Sequence, residues 1–336
     1  MRRDPTSLMM RLLLTCSILT AVLLLAGLAG LAAGSSGIKF ASLWQAISSP
    51  ESADAMLKAI IWKIRLPRVF MAVVAGATLS LGGLVFQALL RNPLAEPYIL
   101  GVSGGAAIGA ILGILLGFAR FPGITLTAFA GSAGTLFAVL AIAGGRSLVD
   151  RDSLLLSGVM INAFCSAVIM FLVSLTQDSR LHSIMFWLMG DLSLAGMKEA
   201  GVLAGMVLPC FILTFLLSNR MNLLLLGGET AQTMGVNIRL VVIALLVSTS
   251  FMVSVTVSYC GLFGFVGLVI PHLLRLAIGP DHRVLVPASI LGGGAFMVVC
   301  DILARTLPDQ GEMPVGVVTA LVGAPLFIYL LKRSQR

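Results

Sequence analysis

The sequence predicts an all-α polytopic membrane protein, and three observations support this fold class. Of the 336 residues, 58% are hydrophobic and only 11% are charged, and the mean hydropathy is +1.05. Soluble domains contain roughly 25% charged residues. The apolar residues form long runs separated by short polar segments, and a helix needs about 20 mostly apolar residues to cross a bilayer. We therefore expect residues 1–336 to form a single transmembrane domain.

Ten apolar runs approach the length of a membrane-spanning helix. They lie at residues 12–33, 69–90, 99–118, 124–143, 154–175, 200–217, 240–257, 262–278, 284–303 and 315–331. An even number of spans places both termini on one side. A cytoplasmic N-terminus puts thirteen of the 22 Lys and Arg residues inside, as the positive-inside rule prefers. The first run could be a cleaved signal peptide, but its length favours a retained span.

The stretch from Arg65 to Gly117 contains two of these spans joined by a polar elbow. The elbow, RNPLAEP, has two prolines that exclude a continuous helix, and Asn92 could cap a new one. In the second span, glycine recurs every fourth residue from Gly101 to Gly117, which predicts a ridge that another helix backbone can approach closely. A second interrupted span follows Arg239 in the opposite direction, which suggests an inverted repeat.

Charged residues cluster at the predicted outer side. Four basic residues precede the second span, against the positive-inside rule: Lys58, Lys63, Arg65 and Arg68. They either bind a partner or reach the membrane interface from a helix end, and the residues alone leave both interpretations open. Asp301 and Arg305 stand four residues apart, so they can pair on one face of a helix.

Three further segments carry polar residues of interest. The fifth span contains Ser157, Asn162, Ser166 and Ser174, which either line a transport path, the preferred interpretation, or bond neighbouring helices. Residues 183–193, SIMFWLMGDLS, are too short to span and are expected to form a short re-entrant or interfacial helix that ends at Gly190. Residues 228–235 are expected to form a short exposed cytoplasmic helix, with a connector as the simplest role and docking as the alternative.

Motifs for catalysis and metal binding are missing from the sequence. It has no GxxxxGK[ST] phosphate loop, no GxGxxG and no HExxH. The five cysteines each lie alone in an apolar run, and His272 and His282 are too far apart for a helical metal pair. The spans lack the deep ionisable pair of an ion-coupled carrier, which disfavours a secondary transporter. The net charge of +8 fits cytoplasmic loops that face anionic lipid, so no nucleic-acid partner is expected.

Five segments together resemble the FecCD family of ABC-importer permeases. They are RLPR (65–68), GGLVFQALLRNPLAEPYILGVSGGAAIG (82–109), WLMGDL (187–192), GLFGFVGLVIPHLLRLAIGPDHR (261–283) and MPVGVVTALVGAPLFIYLL (313–331). The resemblance covers nearly the whole chain. It implies a type II ABC importer permease in the bacterial inner membrane, with iron(III)–siderophore as the preferred cargo and cobalamin or haem as alternatives.

The resemblance also implies partners. These are a second permease subunit in a homodimer or close heterodimer, two cytoplasmic ABC ATPase subunits, and a periplasmic or lipid-anchored substrate-binding protein. The ATPase subunits would use ATP and Mg²⁺. This chain is therefore expected to be a transport subunit rather than an enzyme, with no catalytic residue, metal or cofactor of its own.

Site residues follow from the same resemblance. Arg65, Arg68 and Arg305 match positions that dock the binding protein through its glutamates. The helix expected to couple to the ATPase comprises Gly228, Glu229, Thr230, Ala231, Gln232, Thr233, Met234 and Gly235. The gate is implied at Asn92, Pro93, Leu94, Asp150, Arg151, Asp152 and Ser153. Asn162 is assigned to the path from the polar residues of the fifth span rather than from the resemblance. The charged residues at 150–152 depart from the small hydroxyl residues of some family members, so they could contact an anionic chelate or join the two subunits.

Overall fold

The computed structural model describes residues 5–33, 55–143, 151–193, 196–308 and 311–334, and all regular elements in these ranges are helical. The helices are α1 (Pro5–Ala32), α2 (Ala55–Ala59), α3 (Leu66–Leu90), α4 (Val102–Leu115), α5 (Thr125–Ala143), α6 (Arg151–Ser174), α7 (Asp178–Leu188), α8 (Met197–Leu225), α9 (Gly228–Thr233), α10 (Ile238–Cys260), α11 (Val266–Ile278), α12 (His282–Thr306) and α13 (Val315–Ser334). A π-helical segment, Ile60–Arg65, joins α2 to α3.

Each of the ten predicted spans coincides with one of these helices. In the described ranges, seven helices are long and apolar enough to cross a membrane, and three shorter apolar helices occupy 102–115, 266–278 and 315–330. Helices α4 and α11 have only 14 and 13 residues, fewer than the 17 or so that a span needs. Mostly non-helical backbone precedes each of them, at residues 91–101 and 261–265. Such backbone is tolerated at membrane depth only where protein or water surrounds it.

Helix α3 is the most deeply buried of the long helices. In the most apolar stretch of this helix, 89% of the residues are buried inside the protein, whereas in α1 the corresponding share is 6%. Small residues let neighbouring backbones approach α3. A Cβ built at Gly76 would lie 2.2 Å from the carbonyl oxygen of Gly293 in α12, and one at Gly83 would lie 1.9 Å from that of Gly267 in α11. Helix α3 therefore forms the centre against which α11 and α12 pack.

The glycine ridge is confirmed for its three middle members. A Cβ at Gly109 would lie 2.0 Å from the carbonyl oxygen of Thr127, and Gly105 and Gly113 face α5 in the same way. Gly101 and Gly117 differ, because their φ angles of 77° and 75° place them in turns at the two ends of α4. The ridge is thus a contact between α4 and α5 only.

Two other local predictions have different outcomes. Asn92 does not cap α4, which begins ten residues later at Val102; the Asn92 Oδ1 instead accepts a hydrogen bond from the Leu94 N–H at 2.9 Å and closes a turn. The short helix expected in this segment is confirmed as α7, and the chain turns at Gly190, where φ is 74°.

Candidate functional site

The arginines assigned to docking lie together and are buried. Arg65, Arg68 and Arg305 expose 4%, 4% and 7% of their surface. The Arg68 Nε donates to Asp301 Oδ1 at 2.7 Å, and the Arg305 Nη2 lies 3.0 Å from Asp301 Oδ2, which confirms the predicted pairing within α12. The Arg68 Nη1 also donates to Glu312 Oε2 at 2.5 Å. We refer to these five residues as the outer arginine cluster.

Two arginines of the cluster also bind the end of α1. The Arg65 Nη1 donates to the carbonyl oxygens of residues 31 and 32 at 2.6 and 2.9 Å. The Arg305 guanidinium donates to those of residues 30 and 33, both at 3.0 Å. The last four carbonyl groups of a helix have no partner within it and carry partial negative charge. Arg65 and Arg305 therefore attach α1 to the bundle, a role that the sequence did not predict, while docking remains a prediction.

The two non-helical segments that precede α4 and α11 meet inside the protein. The Tyr98 hydroxyl bonds both the N–H and the carbonyl oxygen of Phe263, each at 3.1 Å. The Glu96 Oε1 accepts from the Phe265 N–H at 3.3 Å. Phe265 has a φ of 68°, a value rare for a bulky residue. These bonds supply partners to backbone groups that no helix satisfies, and they join the two segments at one crossing.

Asn162, assigned to the transport path, bonds this crossing. Its Nδ2 donates to the carbonyl oxygen of Tyr98 at 3.1 Å. Ser166 and Ser174 are exposed and donate to carbonyl oxygens of their own helix, α6. Large apolar residues of α6 also face outward, among them Met160 and Phe164, each 65% exposed. The contact of Asn162 fits the alternative interpretation, in which these polar residues bond a neighbouring segment. That the fifth span lines a transport path remains a prediction.

The remaining gate residues are only partly described. Pro93 and Leu94 lie on the surface of the elbow, where Leu94 is 50% exposed. Arg151, Asp152 and Ser153 form the first turn of α6, and Asp150 lies outside the described residues. Their role in a gate remains a prediction.

The short exposed helix expected at residues 228–235 is confirmed as α9, and it stands on the surface. It begins after Gly227, where φ is 118°, and the turn that follows it contains Gly235, where φ is 79°. Ala231 is fully buried, whereas Thr230, Gln232, Thr233 and Met234 are exposed. One face therefore holds α9 against the bundle and leaves the other free for contact.

A polar junction links the end of α8, just before α9, to the start of α12. The Asn222 Nδ2 donates to Asp281 Oδ1 at 2.8 Å, and its Oδ1 accepts from the His282 N–H at 2.9 Å. Arg283 pairs with Asp281 at 2.7 Å. Burial alone would raise the pKa of Asp281, but hydrogen bonds from Arg283 and Asn222 lower this pKa to about 2. The Asp281 carboxylate is therefore charged at neutral pH and joins the two helices.

A pocket of about 270 Å³ opens on the predicted outer side beside α7. It is lined by Ile114, Arg120, Ile124, His182, Ser183, Phe186, Trp187 and Asp191. The Arg120 Nη1 donates to Asp191 Oδ2 at 2.6 Å. Burial would raise the pKa of Asp191, but Arg120 and the Ser193 N–H lower it. Sequence reasoning missed this pair, whose only signal was two lone opposite charges in separate outer segments.

The described residues contain no group of three or more His, Cys, Asp and Glu that could hold a metal ion. All five cysteines are free, and four of them are buried.

Comparison with known proteins decides the family. Residues 21–333 match the profile of the FecCD transport family. The chain belongs to this family. It is therefore a permease of the ABC-importer class, with the fold of that class.

Relatives of this FecCD permease are similar over most of their length. The chain is 39% identical over 333 residues to the hemin transport system permease HmuU of Yersinia pestis, covering 97% of this chain and 96% of the relative. It is 41% identical over 286 residues to the cobalamin import system permease BtuC of Halobacterium salinarum, covering 85% and 76%. A solved metal-chelate type ABC transporter in an inward-facing conformation is 33% identical, with a TM-score of 0.83 over 95% of this chain and 98% of that one.

Proposed function

We propose that this FecCD permease is the membrane subunit of an ATP-driven importer that carries a metal chelate from the periplasm across the inner membrane to the cytoplasm. The observation that carries the proposal is the end-to-end similarity to a hemin permease, at 39% identity over 97% of the chain. The polar crossing at Tyr98 and the sparse charge inside the bundle suit a path for a large solute moved by an external energy source.

The energy would come from two cytoplasmic ATPase subunits, each docked on α9 of one of two permease copies. The exposed residues 230 and 232–234 and the buried Ala231 support this assignment, because a short, anchored surface helix can transmit a push to the bundle. ATP-driven closure of the ATPase pair would move α9 and, through Asn222 and Asp281, the start of α12. Access to the path would then alternate between the two sides of the membrane.

A substrate-binding protein would deliver the chelate at the outer arginine cluster. The three guanidinium groups of this cluster are positively charged, which favours an acidic partner surface. Arg65, Arg68 and Arg305 would contribute this charge. Because Arg65 and Arg305 already bind α1, Arg68 is the strongest candidate for a direct bond to a glutamate of the binding protein.

The cargo belongs to the class of large metal chelates. The sequence favoured an iron(III)–siderophore, whereas the compared relatives are named as permeases for hemin and for cobalamin. Hemin and cobalamin are therefore tested beside a ferric siderophore.

The test is transport by the complete complex in proteoliposomes, with ATP inside and the loaded binding protein outside. We expect ATP-dependent uptake of one of the three chelates, and uptake should be lost when residues 229–234 are deleted. The proposal would be overturned by a complex that transports none of the three, or by uptake that an ion gradient drives without ATP.

A further inference from the structure

Glu312 differs from the other members of the outer arginine cluster because its side chain reaches solvent. It is 46% exposed, whereas the side chains of Arg68 and Asp301 are 5% and 0% exposed. Both carboxylates bind the same guanidinium, Asp301 at Nε and Glu312 at Nη1. Arg68 therefore has one buried partner and one partner at the surface.

The two carboxylates are also mounted differently. Asp301 lies within α12, where it is fully buried and also pairs with Arg305. Glu312 lies in the loop between α12 and α13, beside Gly311 with its φ of 75°. The Met313 N–H holds this loop to the carbonyl oxygen of Ala304 at 3.1 Å. A glutamate on such a loop can turn away from Arg68 by side-chain rotation alone, while the loop stays attached.

The ion pairs of Arg68 show how the departure of Glu312 would affect it. Without Glu312, Arg68 would have only the carboxylate of Asp301, which it shares with Arg305. The Arg68 Nη1 would then lose the acceptor that Glu312 provides, and a buried donor without an acceptor is destabilising. Arg68 therefore needs a second carboxylate whether or not another protein is bound.

We infer that Glu312 is an internal competitor for the docking site: in the free permease its carboxylate occupies the outer edge of Arg68, and a carboxylate of the substrate-binding protein replaces it on docking. This inference rests on the proposed function, because it needs a binding protein that docks at Arg68.

The exchange replaces one charge-assisted hydrogen bond by another of the same kind, so the docking bond adds less affinity than it would at an arginine without a competing carboxylate. Without Arg68, the carboxylate of the binding protein would lie unpaired in the interface, which weakens binding. A transporter benefits from this arrangement, because the binding protein must leave after each delivery. The displaced Glu312 would also face the docked protein and repel its acidic surface, which further favours release.

The test compares Glu312→Gln with Glu199→Gln in the complete complex embedded in nanodiscs. Glutamine removes the charge and nearly preserves the shape. Glu199 is the control, since it begins α8 on the predicted outer side and forms no ion pair within the described ranges. We expect E312Q to bind the purified binding protein about tenfold more tightly, the size of effect that loss of one competing charge-assisted bond predicts. E199Q should bind as the unmodified complex does.

Two variants at Arg68 separate this inference from the docking proposal. Arg68→Gln should weaken binding of the substrate-binding protein. Arg68→Lys retains the charge, so a partial return of affinity in this variant would show that the loss in R68Q is not caused by misfolding. If E312Q binds the binding protein no more tightly than the unmodified complex does, while R68Q binds it more weakly, Glu312 is not a competitor. The proposed docking at Arg68 would still stand. If R68Q binds normally and melts at the same temperature as the unmodified complex, docking at Arg68 is itself wrong, and the inference falls with it.

Discussion

Arg305 illustrates how one buried side chain serves two purposes. It lies beside the carboxylate of Asp301 within its own helix and donates to the last carbonyl groups of α1. Asp301 has no solvent exposure, and Arg68 and Arg305 are its two ion-pair partners. Arg305, which is assigned to docking, therefore also fastens α1 to α12.

We expect Arg305→Met to destabilise the permease, because it leaves Asp301 with Arg68 alone and frees two carbonyl groups of α1. Removing one partner of a buried ion pair costs about 3–5 kcal/mol. The matched control is Arg283→Met, which breaks the Arg283–Asp281 pair, whose arginine side chain is 45% exposed; an exposed pair contributes up to about 1 kcal/mol. The apparent melting temperature in detergent should fall clearly for R305M and little for R283M. Equal melting temperatures would contradict the fastening role.

At the scale of helices, the close contact between α4 and α5 depends on glycine, which has no side chain to separate the two backbones. Gly109→Ala would place a methyl group 2.0 Å from the carbonyl oxygen of Thr127, so the helices must separate. Overpacking of this kind costs about 1–3 kcal/mol. Gly134→Ala, in α5, is the control, because a Cβ there meets nothing within 4 Å and alanine favours the helix by about 0.5–1 kcal/mol. G109A should melt lower and G134A at the same temperature or higher; a G109A protein as stable as G134A would disprove the close approach.

The elements show which features a sequence can reveal. Hydropathy located all ten apolar helices, because burial in lipid requires long apolar runs whatever their neighbours are. It did not reveal that residues 91–101 cross the protein without an α-helix. Pro93 and Pro97 exclude a helix there, but the course of the chain depends on Tyr98 meeting Phe263, 165 residues away. The capping of α1 was equally hidden, since every helix ends in free carbonyl groups and none identifies the arginine that will bind them.

At the scale of the molecule, α12 connects the polar junction at the end of α8 to the outer arginine cluster. Its start bonds Asn222, which precedes α9, the helix assigned to the ATPase, and its end carries Asp301 and Arg305 of the outer arginine cluster. Between these ends, Gly293 packs directly on Gly76 of the central helix α3. A displacement at either end would therefore reach α3 through rigid helix contacts rather than through loops.

The crossing at Tyr98 joins the two interrupted helix pairs, α3 with α4 and α10 with α11, on which the inverted-repeat hypothesis depends. Tyr98→Phe removes one hydroxyl and leaves the N–H and carbonyl oxygen of Phe263 without that partner. A buried polar group left unpaired costs about 1–3 kcal/mol, so we expect a lower melting temperature. Tyr329→Phe is the control, because Tyr329 is 60% exposed and its hydroxyl can bond water. If Y98F and Y329F melt alike, the crossing does not hold the two helix pairs together, and their packing on α3 must do so alone.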